Sequence, residues 1–384
     1  MRGKSLIILA IVAVVLIAAA LWSREKPQTA TSEEELLLPD LMANINAVKT
    51  INFKSAGNTF SVQKSEDGWE LDQKDGYAAD TEKVRAMLLG MARTKRLEAK
   101  TKNPDLYGKL QLEDVDNEGA QSVLISLVDD KNKLLADVVF GKSQSAKAGP
   151  AQREYYVRVG DDPQSWLVQS DFELVKDASQ WLLQEVLAID ESRIRSAEVN
   201  HEDGTTIEVQ RDSSGETNFT LVDIPEGRKV KYEFSVNDVA NSFANLKLQD
   251  VSKVDEIDFS DAKRAVVQSF DGLMVTLETA QKDDVTYARL NAEFSSESVE
   301  KNDSAENAKA ETESADQSTN TINTIDEVKQ EVERLNARWS GWAYQLPDFE
   351  LNNIFKPMDE LLEEIESSED EEEQASENNP EAQN

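Results

Sequence analysis

Two stretches of the chain close on the same phrase. Trp166 and Gln169 are followed by Asp171-Phe172-Glu173-Leu174, and Trp342 and Gln345 by Asp348-Phe349-Glu350-Leu351. A W-x-x-Q and D-F-E-L pair recurring at the end of two segments of comparable length points to one folding unit built twice. The segments leading up to it agree. Ile51–Phe53, Thr59–Val62 and Trp69–Leu71 alternate as strands, separated by Gly57-Asn58 and Asp67-Gly68 turns, and Ala197–Val199, Ile207–Val209 and Phe219–Leu221 repeat the order around Asp203-Gly204 and Ser214-Gly215. Each set leads into a helix. Val84, Met87, Leu88 and Met91 form one apolar stripe behind Asp80 as N-cap; Val236, Val239, Phe243 and Leu246 form the other behind an S-x-x-D start at Ser235 and Asp238.

Offsets between matched positions grow slowly, from 146 at Phe53/Val199 through 147 at Val62/Val209 to 155 at Leu88/Phe243, then jump to 177 at Asp171/Asp348. The jump is accounted for by the Ser/Glu/Asn/Ala-rich run 295–320, read as a disordered insertion. Between helix and closing phrase, Val123–Val128, Leu134–Phe140 and Tyr155–Val159 correspond to Ala265–Phe270, Leu273–Thr279 and Val285–Leu290. Short loops between such strands predict antiparallel meanders with helices on one face, an α+β fold. Ile325, Val328, Val332 and Leu335 predict a further helix, and short helices are expected at Trp181–Leu183 and Asp359–Leu362.

Ahead of both copies, Leu6–Trp22 is seventeen residues without charge, Pro or Gly, long enough as a helix for roughly 25 Å. Arg2 and Lys4 precede it, so the expectation is a single-pass inner-membrane anchor with the N-terminus cytoplasmic and the bulk periplasmic. A cleaved signal peptide ending near Ala18-Ala19-Ala20 is the alternative. The expected organisation is therefore 1–24 stub and anchor, 25–44 linker, 45–190 first repeat, 191–365 second repeat, and 366–384 acidic disordered tail. The net charge of −34 is concentrated: Asp359–Asn384 holds 12 acidic residues and no basic one, and Glu293–Asp316 holds 8 against Lys301 and Lys309, together more than half of the imbalance.

A chain this acidic disfavours nucleic acid. With no cysteine and the single histidine His201, it has no disulfides, thiol nucleophile, iron–sulfur cluster or multi-histidine metal site. Gly141-Lys142-Ser143 lacks the phosphate-loop glycine five residues earlier, where Ala136 stands. Asp114, Asp116 and Glu118 begin like a calcium loop, but Ile125 occupies its twelfth position. His201 lies in a hairpin turn with no G-x-S-x-G anywhere. No catalytic, cofactor or metal site is expected. The residues singled out are the aromatics Trp166, Phe172, Trp342, Tyr344 and Phe349, which either seal helix against sheet in each copy or form an interface; repetition favours sealing.

Several of these segments resemble a bacterial family. Gly68-Trp69, Gly76-Tyr77-Ala78-Ala79-Asp80 and Lys83-Val84-Arg85 do so, with Asn103-Pro104-Asp105-Leu106-Tyr107, Leu112-Glu113-Asp114, Phe140-Gly141-Lys142, and Gly341-Trp342 with Leu346-Pro347-Asp348-Phe349. Over roughly residues 45–365 the chain resembles the family catalogued as domain of unknown function 4340. The resemblance implies no activity. It does imply an anchored envelope protein, and a partner among ABC transporters of the gliding-motility type, beside which some members are encoded. The function expected is a non-enzymatic periplasmic interaction protein, accessory to an ABC-type transporter or envelope assembly. The alternative is a ligand-binding protein holding a small molecule between its repeats; an envelope hydrolase using carboxylates or His201 ranks third.

Overall fold

The computed structural model describes residues 35–145, 152–201, 203–296, 299 and 323–365. The anchor at 6–22, the tail 366–384 and most of the 295–320 insertion lie outside the described residues. Among these residues no helix is long and apolar enough to cross a membrane. The chain gathers into two compact units: one takes 35–64 and 82–176, the other 65–81 and 177–365.

In the first unit, β1 (Thr50–Ser55) and β2 (Asn58–Lys64) form a hairpin across Gly57, whose φ of +78° suits only glycine well. Alternation buries Ile51 and Phe53 against Val62 and Phe60, and the two phenyl rings stack at 4.5 Å. The next hairpin, β3 (Trp69–Leu71) with β4 (Tyr77–Ala78), is grouped with the second unit. Helix α1 (Thr81–Arg93) starts directly after Asp80 and buries the expected Val84, Met87, Leu88 and Met91. Then come β5 (Lys95–Ala99), β6 (Val123–Val128), β7 (Leu134–Ser145), β8 (Arg153–Val159) and β9 (Trp166–Ser170). Within this unit the antiparallel order is β2-β1-β6-β7-β8-β9-β5.

The second unit continues with β10 (Glu185–Ala188), β11 (Ile194–Asn200), β12 (Thr206–Gln210), β13 (Thr220–Leu221) and β14 (Arg228–Val230). Helix α2 (Glu233–Asn241) is followed by β15 (Asn245–Lys247), β16 (Asp250–Lys253), β17 (Lys263–Ser269), β18 (Leu273–Lys282) and β19 (Val285–Phe294). Helix α3 (Ile325–Trp339), β20 (Trp342–Gln345), helix α4 (Asp348–Ile354) and β21 (Leu362–Glu364) complete it. Its main sheet runs β13-β12-β11-β17-β18-β19-β20-β16; β10 pairs with β15, and β14 with β21. Helix α3 is started by a capping box between Thr324 and Glu327. It is pinned to the sheet by Arg193, whose guanidinium lies 2.8 Å from Asp271 and 2.7 Å from Glu331, all three largely buried.

The antiparallel sheets with helices make the fold α+β. Four local expectations fail. Of the stripe Val236, Val239, Phe243 and Leu246, only the first two lie on a helix, because α2 ends at Asn241 and the chain turns so that Leu246 enters β15 and pairs with Leu187 of β10. Helix α2 starts at Glu233, two residues before Ser235, behind an extended Tyr232 that offers no side-chain cap; Ser235 is instead buried in its first turn. At Trp181–Leu183 only a 3-10 turn (Ala178–Trp181) forms, because Leu182 bridges to Ala79 and the Leu183 N–H donates to the Ala78 carbonyl. The Asp359–Leu362 segment is a single turn, Met358–Leu361, before Leu362 enters β21.

Candidate functional site

The five aromatics divide into three situations. Trp166 and Trp342 are half-buried, and each carries a cation from the adjacent edge strand on its face: Arg96 at 4.8 Å and Lys253 at 3.4 Å. Trp342 also meets Tyr77 edge-on at 5.0 Å. Tyr344 is fully buried, 6.2 Å from Tyr77, and burial pushes both hydroxyls up, Tyr77 to about 12. Phe172 is buried in the first unit, stacked on Tyr155 at 5.9 Å and edge-on to Phe140 at 5.7 Å. The Tyr155 hydroxyl donates to the Phe172 carbonyl and accepts from the Leu174 N–H, both at 3.1 Å. Phe349, at the matching place in the closing phrase, is 63% exposed. It seals nothing.

The reason lies in what precedes and receives each phenylalanine. Phe172 lies on Gly90 of α1, where an added Cβ would come 2.7 Å from the Phe172 Cβ. At the helix offset of 155 the second unit has Asn245, which stands beyond the end of α2 and in a strand. The second phrase also carries an extra residue, Pro347, between Gln345 and Asp348. Proline with φ near −58° opens α4, so D-F-E-L becomes helix, buries Leu351 and turns Phe349 outward.

The cross-strand rungs locate the consequence. In the first sheet, Phe53, Ile125, Val138 and Val159 share one rung, and the next on the same face is Val123, Phe140 and Val157. In the second sheet, Val199, Ala265, Leu277 and Leu290 share a rung, and the next is Lys263, Thr279 and Ala288. Along β18 the inward positions run Leu273, Val275, Leu277, then Thr279 and Gln281, with Thr286 opposite Gln281. The covered face turns polar over two successive rungs: Lys263 on β17 and Thr279 on β18 share one with the buried Ala288, and Gln281 on β18 faces Thr286 on β19 in the next. There the second unit has an open cleft of about 570 Å³, floored by Lys263, Thr279, Gln281 and Thr286. Helix α4 walls it with Asp348, Leu351, Asn352 and the half-buried Phe355, and Asp261 stands at the rim. The volume is within the usual range for small-molecule sites. A smaller hollow of about 320 Å³ in the first unit lies along the β5–β9 edge, by Leu36, Lys95 and Gln169.

The polar residues of the cleft were not singled out from the sequence, although two signals were there: the loss of apolar alternation after Leu277, and the added Pro347. The other motifs have structural roles. Gly141 sits where β7 and β8 slip register, and a Cβ there would lie 2.3 Å from the Leu110 carbonyl oxygen. Asp116 is paired with Lys54 at 2.6 Å in a surface turn. The His201 backbone closes the β11–β12 turn with Thr205 and Gly204. Among the described residues, no three His, Cys, Asp or Glu side chains are grouped to hold a metal.

The family model described as "Domain of unknown function (DUF4340)" matches residues 69–265, just over half of the chain. The chain belongs to that family. The match runs from β3 into β17, so it takes in α1, the Phe140–Tyr155–Phe172 cluster and α2, while the cleft's α4 wall in this DUF4340 chain lies beyond it. No curated protein and no solved structure matches.

Proposed function

We propose that the chain is a non-enzymatic binding protein of the bacterial envelope, a duplicated α+β unit held at the inner membrane by residues 6–22, whose second copy receives a small polar ligand. The duplication, 45–190 and 191–365, is supported by the common strand order and by matching contacts. Lys95 pairs with Gln169 of the first W-x-x-Q, and Asp250 with Gln345 of the second. The Asp80 N–H donates to the Trp181 carbonyl ahead of α1, and the Lys231 N–H to the Leu361 carbonyl ahead of α2.

The observation that carries the ligand reading is the cleft itself. A folding sheet gains by covering its inner face with apolar side chains, about 1.5–3 kcal/mol for each large one. The second sheet forgoes that gain at Lys263, Thr279, Gln281 and Thr286, on two successive rungs, and leaves the place open. This favours the ligand-binding alternative over pure scaffolding, with the site inside the second unit.

The partner half of the reading, an ABC-type transporter or other envelope assembly, is supported by an aromatic pair on the same unit. Tyr232 and Phe234 stack at 5.2 Å while 50% and 61% exposed, the kind of surface that anchors protein contacts.

Native mass spectrometry of the full chain, released from its own membranes with the anchor intact, tests the reading. The expected spectrum shows a non-covalent small-molecule adduct that a Thr279→Phe variant lacks. Bare protein in both cases, or recovery of the chain from the soluble fraction, would overturn it.

A further inference from the structure

We infer that the cleft of the second unit takes a neutral, hydroxyl-rich ligand of the carbohydrate class. This rests on the ligand-binding reading above and adds the chemistry of the occupant. The lining carries one cation, Lys263, against two carboxylates, Asp261 and Asp348. A phosphate or carboxylate ligand would face a net negative wall, and a zwitterion would find a counter-charge for its amine but a contested one for its acid.

A neutral polyol meets no such conflict. Its hydroxyls donate to Asp261 and Asp348, which as carboxylates only accept, and accept from the Lys263 ammonium, which only donates. The amides of Gln281 and Asn352 and the hydroxyls of Thr279 and Thr286 do both, as a ring of adjacent alcohols requires. Such a lining suits a ligand with a donor and an acceptor at every carbon.

The apolar part fits the same class. Phe355 is half-buried at the end of α4, held by its N–H to the Leu351 carbonyl at 2.8 Å, and with Leu351 it forms the cleft's apolar wall. A pyranose has one face of C–H groups and an equator of hydroxyls. It can lay the face on Phe355 while the equator meets strands β17 to β19. Facing the strands, Asp348 and Asn352 stand one turn apart on the same side of α4 and present a carboxylate and an amide to the cleft.

Isothermal titration of the full chain in detergent, with a panel of neutral mono- and disaccharides alongside alanyl-alanine and inorganic phosphate, separates the possibilities. The expected result is saturable binding of at least one sugar, weakened about tenfold by Asn352→Ala, an exposed substitution, as loss of one hydrogen bond implies. Thr279→Phe is expected to abolish it by filling the floor. Binding of the dipeptide or phosphate with no sugar bound would overturn the carbohydrate assignment and leave a ligand-binding second unit. Sugar binding unaffected by both substitutions would also overturn it. A membrane-derived adduct that Thr279→Phe removes, together with silence across the sugars, would have the same meaning; absence of both adduct and binding would sink the underlying reading instead.

Discussion

At one corner of the first sheet Phe140, Tyr155 and Phe172 interlock at 5.7 to 5.9 Å; at the corresponding corner of the second, Thr279 and Thr286 face an open cleft and Phe349 points to solvent. The strand order around both corners is the same, and so is the rung beneath them, apolar throughout. Two sheets alike in topology therefore differ in what they do with the side chains of one corner. An aromatic cluster of this kind adds about 0.5–1.5 kcal/mol per ring pair beyond burial, so it makes the first corner rigid and closed. Replacing it with hydroxyls and amides gives up that stability and leaves groups that can bond to something else.

The largest test of this contrast is Phe172→Ala, which removes the plug and should cost about 3–5 kcal/mol in chemical denaturation. A loss below about 1 kcal/mol would mean that the first corner is not sealed by that ring. Next comes Gly90→Ala. The new methyl meets Phe172 at 2.7 Å, and overpacking costs about 1–3 kcal/mol, offset by up to about 1 kcal/mol of helix propensity. A net gain in stability would show that the contact between helix and ring yields easily.

Smaller still is Tyr77→Phe, which removes a hydrogen bond to the Leu183 carbonyl at 3.2 Å and should cost about 1 kcal/mol near neutrality. Burial raises the Tyr77 hydroxyl from 10.0 to about 12, so the folded state holds that proton more firmly than the unfolded one. The stability it contributes is complete below pH 10 and lost as pH rises toward 12. Tyr344 shifts in the same direction. Denaturation midpoints of the wild type should therefore fall through that alkaline window, and fall less in Tyr77→Phe; equal slopes would contradict this. The smallest effect is expected of Phe349→Ala, within about 0.5 kcal/mol. A cost equal to that of Phe172→Ala would erase the distinction between the corners.

Much of this architecture was legible in the amino-acid order. Alternation in Ile51–Phe53 and Val123–Val128 and the 3.6-residue stripe of α1 each arise from local side-chain placement, and each formed as read. What stayed hidden depends on contacts distant in sequence. D-F-E-L reads the same in both places, yet the seat for Phe172 is Gly90 on another element, and Pro347 recasts the second occurrence of the phrase as helix. The cleft was obscured for a related reason: Thr279 and Gln281 look like ordinary solvent-facing strand residues until register shows that they continue the buried face of Val275 and Leu277. The short expected helices failed because backbone pairing with a remote strand, at Ala79 and at Arg228–Val230, outweighed local preference.

The absence of native cysteine permits one direct measurement of the central contrast, a plugged corner against an open one. Single variants Val157→Cys and Thr286→Cys place a thiol at each corner, the first on a fully buried residue and the second on a half-buried residue lining the cleft. Under native conditions, a small thiol reagent should modify Thr286→Cys readily and leave Val157→Cys protected until the protein unfolds. Equal protection of the two, or faster modification of Val157→Cys, would contradict the account.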